Sequence, residues 1–241
     1  MSKMSKDIIA NSGVIINQDK DLYSFNLDTI LLYNFAKPSK KGRVVDLCSG
    51  NGAIGLSLTA KTNAHIYLVE IQPELAKLAQ RSIAENQLEQ QVTLIIDDLN
   101  NVLQYLDHDT VDTITCNPPY FANDSQAKIK ENPVLAIARH EIKTNLDQIL
   151  HQSMILLKEN SHLFMVYRPD RLPELFSDLL KNKLQPKKVR FVRTRANAAA
   201  NLVLVDAIKT VKSGNLEVLP DLIMYNGDVL TQEAAKILNE R

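Results

Sequence analysis

Short runs of β-branched and aliphatic residues alternate along this chain with stretches where apolar residues recur every three or four positions. The short runs Arg43–Cys48, His65–Glu70, Val92–Ile96, Val111–Cys116, Leu163–Tyr167, Val189–Arg193 and Leu202–Ala207 predict strands. The helical period recurs near Asp28–Ala36, Ala53–Lys61, Glu74–Asn86, Leu146–Lys158, Leu172–Lys181 and Thr231–Leu238. Strand and helix in regular order predict an α/β fold: a mainly parallel, doubly wound sheet of seven strands with helices on both faces. The last two strands are joined by too short a loop for a crossover, so they predict an antiparallel hairpin at the C-terminal side. One domain over residues 42–241 absorbs this pattern, and residues 1–41 remain as an N-terminal extension.

Composition changes this picture little. Of 241 residues, 45% are hydrophobic and 23% charged, enough apolar material for a full core without staples. Cys48 and Cys116 are the only cysteines and form no C-x-x-C, so neither a disulfide framework nor a metal cluster is expected, and buried reduced thiols are the default. No run of eighteen apolar residues occurs, and the start MSKMSKDIIANSG lacks a signal-peptide apolar stretch. The expectation is a soluble, cytoplasmic protein without membrane or metal partners, a monomer or weak homodimer. A formal net charge of zero argues against holding polyanions through overall charge, while leaving room for a local basic surface.

Candidate chemistry starts at Val44-Val45-Asp46-Leu47-Cys48-Ser49-Gly50-Asn51-Gly52-Ala53-Ile54-Gly55. An apolar strand runs into glycines that open a helix. Gly50 and Gly52 allow a tight turn and close approach of a ligand, and Gly55 allows helix to pack on strand. Glu70 ends the next strand, where a carboxylate can accept both hydroxyl hydrogens of a ribose. Such a glycine pattern is shared with dinucleotide enzymes. Asp46 shifts the reading, because an acid ahead of the loop can face a cationic amino-acid tail but would repel a pyrophosphate. This resembles the cofactor loop of class I methyltransferases, which bind S-adenosylmethionine. Asp97-Asp98-Leu99 follows the third strand, where those enzymes hold the adenine of the cofactor. Asp98 is the first candidate for the adenine amino group and Asp97 the second, with a helix N-cap as the competing role. Ile71 and Leu99, next to the acids, complete the expected contacts.

Thr115-Cys116-Asn117-Pro118-Pro119-Tyr120-Phe121 follows the fourth strand, where loops of an open α/β sheet line the ligand crevice. Two prolines stiffen the turn and leave their carbonyls as acceptors. An amide or adenine nitrogen is a poor nucleophile, because its lone pair is delocalised. The Asn117 side-chain oxygen and the Pro118 carbonyl can hold its two hydrogens and aim the lone pair, so positioning does the catalysis without a strong base. Tyr120 can stack on a flat substrate group, worth about 1–3 kcal/mol per base. Asn117, Pro118, Pro119 and Tyr120 are the expected catalytic residues, and Asn117 borders the cofactor as well.

With their flanks, these motifs are similar to the bacterial tRNA1(Val) adenine-N6 methyltransferase family, from about Gly13 to Leu238. The flanks are Tyr23-Ser24-Phe25-Asn26-Leu27-Asp28-Thr29-Ile30-Leu31-Leu32, Ala138-Arg139-His140-Glu141, Val166-Tyr167-Arg168-Pro169-Asp170-Arg171-Leu172 and Ala199-Ala200-Asn201-Leu202-Val203-Leu204-Val205. Residues 193–200 keep only the general character of their region. The resemblance implies a Rossmann-like class I methyltransferase domain, with the N-terminal extension packing on the cofactor site. It implies methylation of the adenine 3′ of the anticodon in a valine tRNA. It places Asp28, Thr29, Asp46 and Gly50 at the methionine end of the cofactor, Glu70 at the ribose and Asp98 at the adenine.

A surface for RNA is expected from Phe121, Lys128, Lys130, Arg139 and His140 after the catalytic loop, and from Lys187, Lys188 and Arg190 in the acid-free stretch Lys181–Arg195. A charged, solvated edge strand is the competing reading for the second group. Two other functions stay open. A glutamine-N5 methyltransferase acting on release factors uses the same loop, but such enzymes usually carry a longer helical N-terminal domain. A binding module without catalysis would have no use for an intact Asn-Pro-Pro-Tyr.

Overall fold

The computed structural model describes residues 4–9, 12–19, 22, 24–119, 144–212 and 214–238. The predicted strands form as β3 (Arg43–Leu47), β4 (His65–Glu70), β5 (Val92–Ile96), β6 (Val111–Cys116), β7 (Leu157–Tyr167), β8 (Leu184–Arg193) and β9 (Ala200–Lys209). They lie in the order β8-β9-β7-β6-β3-β4-β5. β3 to β7 are parallel, while β9 runs antiparallel to both β7 and β8. The mainly parallel sheet and its C-terminal hairpin are therefore as expected. The chain moves outward from β3 to β5 and returns to β6 on the other side of β3. That reversal opens a crevice above the carboxyl ends of β3 and β6.

The count of seven strands needs correction. Two-residue strands, β10 (Glu217–Val218) and β11 (Leu222–Ile223), pair in parallel with β8 and make this sheet nine-stranded among the described residues. They are too short to show a period, and only the open edge of β8 makes them strands. A further small pair, β12 (Tyr225–Asn226) with β13 (Val229–Leu230), follows.

Alternation along the strands supplies two cores. Val44, Ile66, Leu68, Val166 and Leu204 face α1 (Leu27–Phe35), α2 (Ala53–Leu58), α3 (Pro73–Glu85) and α6 (Gln232–Leu238), which contribute Leu31, Leu56, Ile83 and Ala234. Val45, Leu47, Ile114, Met165 and Val205 face α4 (Leu146–Leu156) and α5 (Leu172–Lys181), which contribute Leu150, Leu175 and Leu179. α4 stops at Leu156 rather than continuing to Lys158. Leu157 already pairs with Val111, the ladder then skips to His162, and Asn160 takes a left-handed φ of 63° in between.

The N-terminal segment holds a hairpin that periodicity did not reveal, β1 (Met4–Ile8) with β2 (Ile15–Asp19). β1 is nearly all exposed, so it carries no alternation to read. The hairpin is fastened to α3 by side chains instead. Ile15 N–H donates to Asn86 Oδ1 at 2.9 Å, Asn17 N–H donates to Ser82 Oγ at 2.9 Å, and Lys6 pairs with Glu85. Ile9 and Ile16 enter the core beneath it.

α1 is capped at both ends. Asn26 Oδ1 accepts from Thr29 N–H, and Lys61 Nζ donates to the carbonyls of Tyr33, Asn34 and Ala36 while lying 4.1 Å from the Tyr33 ring centroid. Burial, and secondarily Lys40, push the Lys61 ammonium down to about 8. A cation on the last helical carbonyls offsets the helix dipole. Lys61→Met should cost about 1–2 kcal/mol, from lost bonds to those carbonyls. A denaturant midpoint equal to that of the parent protein would refute this.

Candidate active site

The loop after β3 is a turn of unusual backbone. Cys48, Gly50 and Gly52 have φ of 55°, 59° and 80°, so three of five successive residues are left-handed. Gly52 then opens α2. Gly55 is needed for a different reason. A Cβ there would lie 2.3 Å from Leu68 Cδ2 and 3.0 Å from Asp46 Cβ.

Asp46 is not where the sequence placed it. It is wholly buried and does not line the cavity above the loop. Its carboxylate instead accepts from Gly55 N–H at 3.0 Å and from Thr115 Oγ1 at 2.7 Å, tying β3 to α2 and β6. A short side chain pointing from the strand into the helix packed on it cannot also reach a ligand above the strand end. Burial pushes this carboxyl up to about 7, against the two hydrogen bonds, and Glu70 adds a smaller upward push. An acid whose folded pKa lies above its unfolded value holds a proton that the unfolded chain has released. That contribution to stability is full below about pH 4 and is lost as pH rises through about 7. Asp46→Asn should therefore flatten the fall in stability between about pH 4 and 7, measured by denaturant midpoints. An unchanged slope would show that other groups carry it.

Glu70 is 5% exposed at the end of β4. Oε2 accepts from Gly50 N–H at 2.7 Å and Oε1 from Gln72 N–H at 2.8 Å, so the carboxylate braces the loop. Burial raises its pKa, and the amides of Gln72, Gly50 and Ile71 pull it back. Each oxygen keeps a second lone pair for a hydroxyl. At the end of β5, Asp98 caps the 3-10 turn Leu99–Gln104 through Asn100 N–H at 2.9 Å. Asp97 accepts from Asn101 Nδ2, Tyr105 Oη and Asp98 N–H, and these bonds hold its carboxyl below the usual range. The capping role weighed for Asp98 is thus present.

These strand ends border one cleft that is open to solvent, about 790 Å³ with the open solvent included. Of the expected residues it gathers Thr29, Gly50, Glu70, Ile71, Asp97, Asp98, Leu99, Asn117 and Pro119. Asn117 Nδ2 donates to Thr29 Oγ1 at 3.5 Å, linking the catalytic turn to α1. Asp28, Gly52 and Pro118 do not line the cavity. Gly52 turns its backbone into α2, and Pro118 is buried beside the cavity rather than in its wall. Tyr120, Phe121, Lys128, Lys130, Arg139 and His140 lie outside the described residues.

Sequence reading passed over Ser49 and Asn51, which fill the variable places of the glycine pattern. Both are buried residues that border the cavity, and Ser49 Oγ and Asn51 Oδ1 have no hydrogen-bond partner among the described residues. Their polar character on either side of Gly50 was the available signal. Cys48 also reaches the cavity, against the expectation of two buried thiols, whereas Cys116 is buried and its thiol is pushed up chiefly by burial.

The expected RNA contacts on β8 are altered by the tail of the chain. Lys188 pairs with Glu217 at 3.0 Å, Arg190 with Glu233 at 2.8 Å, Arg193 with Asp221, and Arg195 with Asp228 at 3.0 Å. β8 also lies three strands from β6, about 14 Å at the usual strand spacing. Lys188 and Arg190 thus have acidic partners in the C-terminal segment, as on the charged edge strand of the competing reading. Lys187 is half-buried over Gly214.

The cavity suits S-adenosylmethionine. Carboxylates stand at the ends of β4 and β5 for hydroxyl and amino donors, apolar walls come from Ile54, Ile71 and Leu99, and Ser49, Gly50 and Asn51 of the glycine loop line the cleft. No group of three or more metal-ligating side chains occurs among the described residues, nor any helix long and apolar enough to cross a membrane.

Comparison with known proteins agrees with this geometry. Among curated relatives, a tRNA1(Val) (adenine(37)-N6)-methyltransferase of Haemophilus influenzae (strain PittGG) is 31% identical over 153 residues, 63% of this chain and 64% of that protein. The matched part is thus slightly less than two thirds of that relative's length. One from Bacteroides fragilis (strain YCH46) is 25% identical over 84% of both chains. Of solved structures, one described as a predicted O-methyltransferase from Agrobacterium tumefaciens superposes with a TM-score of 0.69 at 20% identity, covering 88% of this chain and 96% of that one. TYW2 of M. jannaschii, crystallised with AdoMet, gives a TM-score of 0.59 at 16% identity, covering 86% of each. The model of the methyltransferase small domain matches residues 8–190, so the chain belongs to that family.

Proposed function

We propose that the protein methylates the N6 amino group of an adenine in tRNA, next to the anticodon of a valine tRNA. One observation carries the chemistry. Asn117 and Pro119, from the stiff turn after β6, border the same cavity as Gly50, Glu70 and Asp98. An amine held by that turn would stand beside a cofactor held by those residues. The substrate is supported by the names of the relatives, tRNA1(Val) (adenine(37)-N6)-methyltransferase, at 25–31% identity.

S-adenosylmethionine supplies an activated methyl group on a cationic sulfur. Everything else falls to the chain. Asn117 Oδ1 and a main-chain carbonyl of the same turn accept the two amino hydrogens and turn the nitrogen lone pair toward the methyl, which is orientation and electrostatic pre-organisation rather than base catalysis. Tyr120 stacks on the base. Glu70 receives the ribose hydroxyls while keeping Gly50 in place, and Asp98 or Asp97 receives the adenine amino group of the cofactor. Residues 42–241 form the catalytic domain, and residues 1–41 pack on its cofactor site. With Lys188 and Arg190 paired to acids, RNA phosphates fall to the basic residues after the catalytic turn, Lys128, Lys130 and Arg139.

The test compares tRNA nucleosides from deletion and parent cells by mass spectrometry, with purified enzyme and unmodified tRNA alongside. Loss of one N6-methyladenine, restored by the enzyme, is expected. Active enzyme that methylates a release factor and no tRNA would replace this reading with glutamine-N5 methylation.

A further inference from the structure

The cap of α1 is in hydrogen-bond contact with the catalytic turn. Asn26 Oδ1 accepts from the N–H of Thr29 at 3.4 Å, so the Asn26 amide turns its oxygen toward Thr29. The Thr29 hydroxyl lies 3.4 Å from the same oxygen. A hydroxyl has one hydrogen and a carbonyl oxygen has none, so this contact is favourable only with Thr29 Oγ1 donating. Toward any other neighbour, Thr29 Oγ1 then has lone pairs alone to offer.

That other neighbour is Asn117, whose Nδ2 reaches Thr29 Oγ1 at 3.5 Å from the turn after β6. Thr29 is 3% exposed, and both residues line the cleft. Against an oxygen whose hydrogen is already committed, the Asn117 amide must present its NH2, because a flipped amide would set two oxygens against each other. Asn117 Oδ1 therefore lies on the other branch of the amide, turned from Thr29. Bonds of 3.4–3.5 Å are long, as those of catalytic groups often are until substrate closes the site.

The base of this relay is fixed. Just ahead of the cap, Phe25 N–H donates at 2.8 Å to Gln18 Oε1 of β2, a side chain only 4% exposed. At the far end of α1, Lys61 holds the last carbonyls. The orientation matters to the reaction, since an NH2 turned toward a substrate NH2 repels it, whereas an oxygen accepts its hydrogen.

We propose that Thr29, aimed by the Asn26 cap, sets the Asn117 amide so that its oxygen and not its NH2 meets the substrate amine. Thr29 is then a positioning residue and Asn117 the catalytic one. The proposal rests on the role given to Asn117 under the proposed function, and it holds for an adenine or an amide nitrogen alike.

The test is single-turnover methyl transfer to unmodified tRNA at saturating S-adenosylmethionine, with S-adenosylhomocysteine binding followed by calorimetry. Thr29→Val keeps the shape of the side chain and removes the hydroxyl. It should lower transfer about tenfold while S-adenosylhomocysteine affinity stays within about threefold. Thr29→Ser, which retains the hydroxyl, should restore most of the rate. In an Asn117→Ala background Thr29→Val should cost less than about twofold, because no amide remains to be aimed. Asn26→Ala should lower transfer about threefold and likewise add little once Asn117 is replaced. Thermal melting confirms folding, and Thr29→Ala takes the place of a Thr29→Val that does not fold. If the parent enzyme methylates a release factor and no tRNA, the same comparison is made on that substrate, so a failed tRNA reading and a failed proposal are separate results. Full transfer by Thr29→Val, a loss confined to S-adenosylhomocysteine affinity, or a loss undiminished in the Asn117→Ala background would overturn the proposal.

Discussion

Asn117→Ala is expected to lower methyl transfer at least tenfold and toward ~100-fold, the range for removing one pre-organised polar group from a reaction site. S-adenosylhomocysteine binding should change little. The reason lies in what the substitution removes. The turn after β6 keeps its two prolines and its place beside the cavity, so the methyl donor still finds Glu70, Asp98 and the glycine loop. What disappears is the side-chain amide, which bonds to Thr29 at one end and holds the substrate amine at the other under the proposed mechanism. An inert amino group is then no longer oriented, and the loss falls on kcat. Single-turnover rates with saturating cofactor separate this from binding. Undiminished turnover, or a fall explained wholly by weaker cofactor binding, would remove Asn117 from the catalytic role.

The second large effect is structural. Gly55→Val should destabilise the protein by about 3 kcal/mol, the upper end of core overpacking. Even the first added carbon would stand 2.3 Å from Leu68 Cδ2 and 3.0 Å from Asp46 Cβ, and valine adds two more. Leu68 can turn aside, but Asp46 is held between Gly55 N–H and Thr115 Oγ1 and has nowhere to go. Relief requires α2 to lift from β3, which also shifts Gly50 and Gly52 at its start. A lower denaturant midpoint and weaker cofactor binding should therefore appear together. An unchanged midpoint would mean that helix and strand are not in the contact described.

The two predictions divide along the line between local and distant information. Much of the fold could be read locally. Short β-branched and aliphatic runs marked all seven long strands, because helices cover both faces of the sheet, and the glycine spacing marked the turn after β3. The ends of β4, β5 and β6 could be placed at one crevice, since an open parallel sheet has only one reversal of strand order. Glu70, Asp98 and Asn117 meet there for that reason.

Other features had no local signature. Asp46 has the right spacing to face a ligand, yet its side chain turns into α2, a choice made by the close packing of Gly55 and by a hydroxyl on β6. Lys188 and Arg190 read as a free basic strand until Glu217 and Glu233, some thirty to forty residues later, fold back upon them. The β1–β2 hairpin lacks a period because it is held by polar bonds to α3, and Asn51 carries no distinguishing neighbour in sequence. Burial periods and turn geometry act between residues a few positions apart, so the sequence by itself determined the sheet, the glycine turn and the chemistry of the catalytic loop. Hydrogen bonds and ion pairs join atoms by distance in space, so only the tertiary structure decided which polar side chains face the cavity and which are spent on holding the fold.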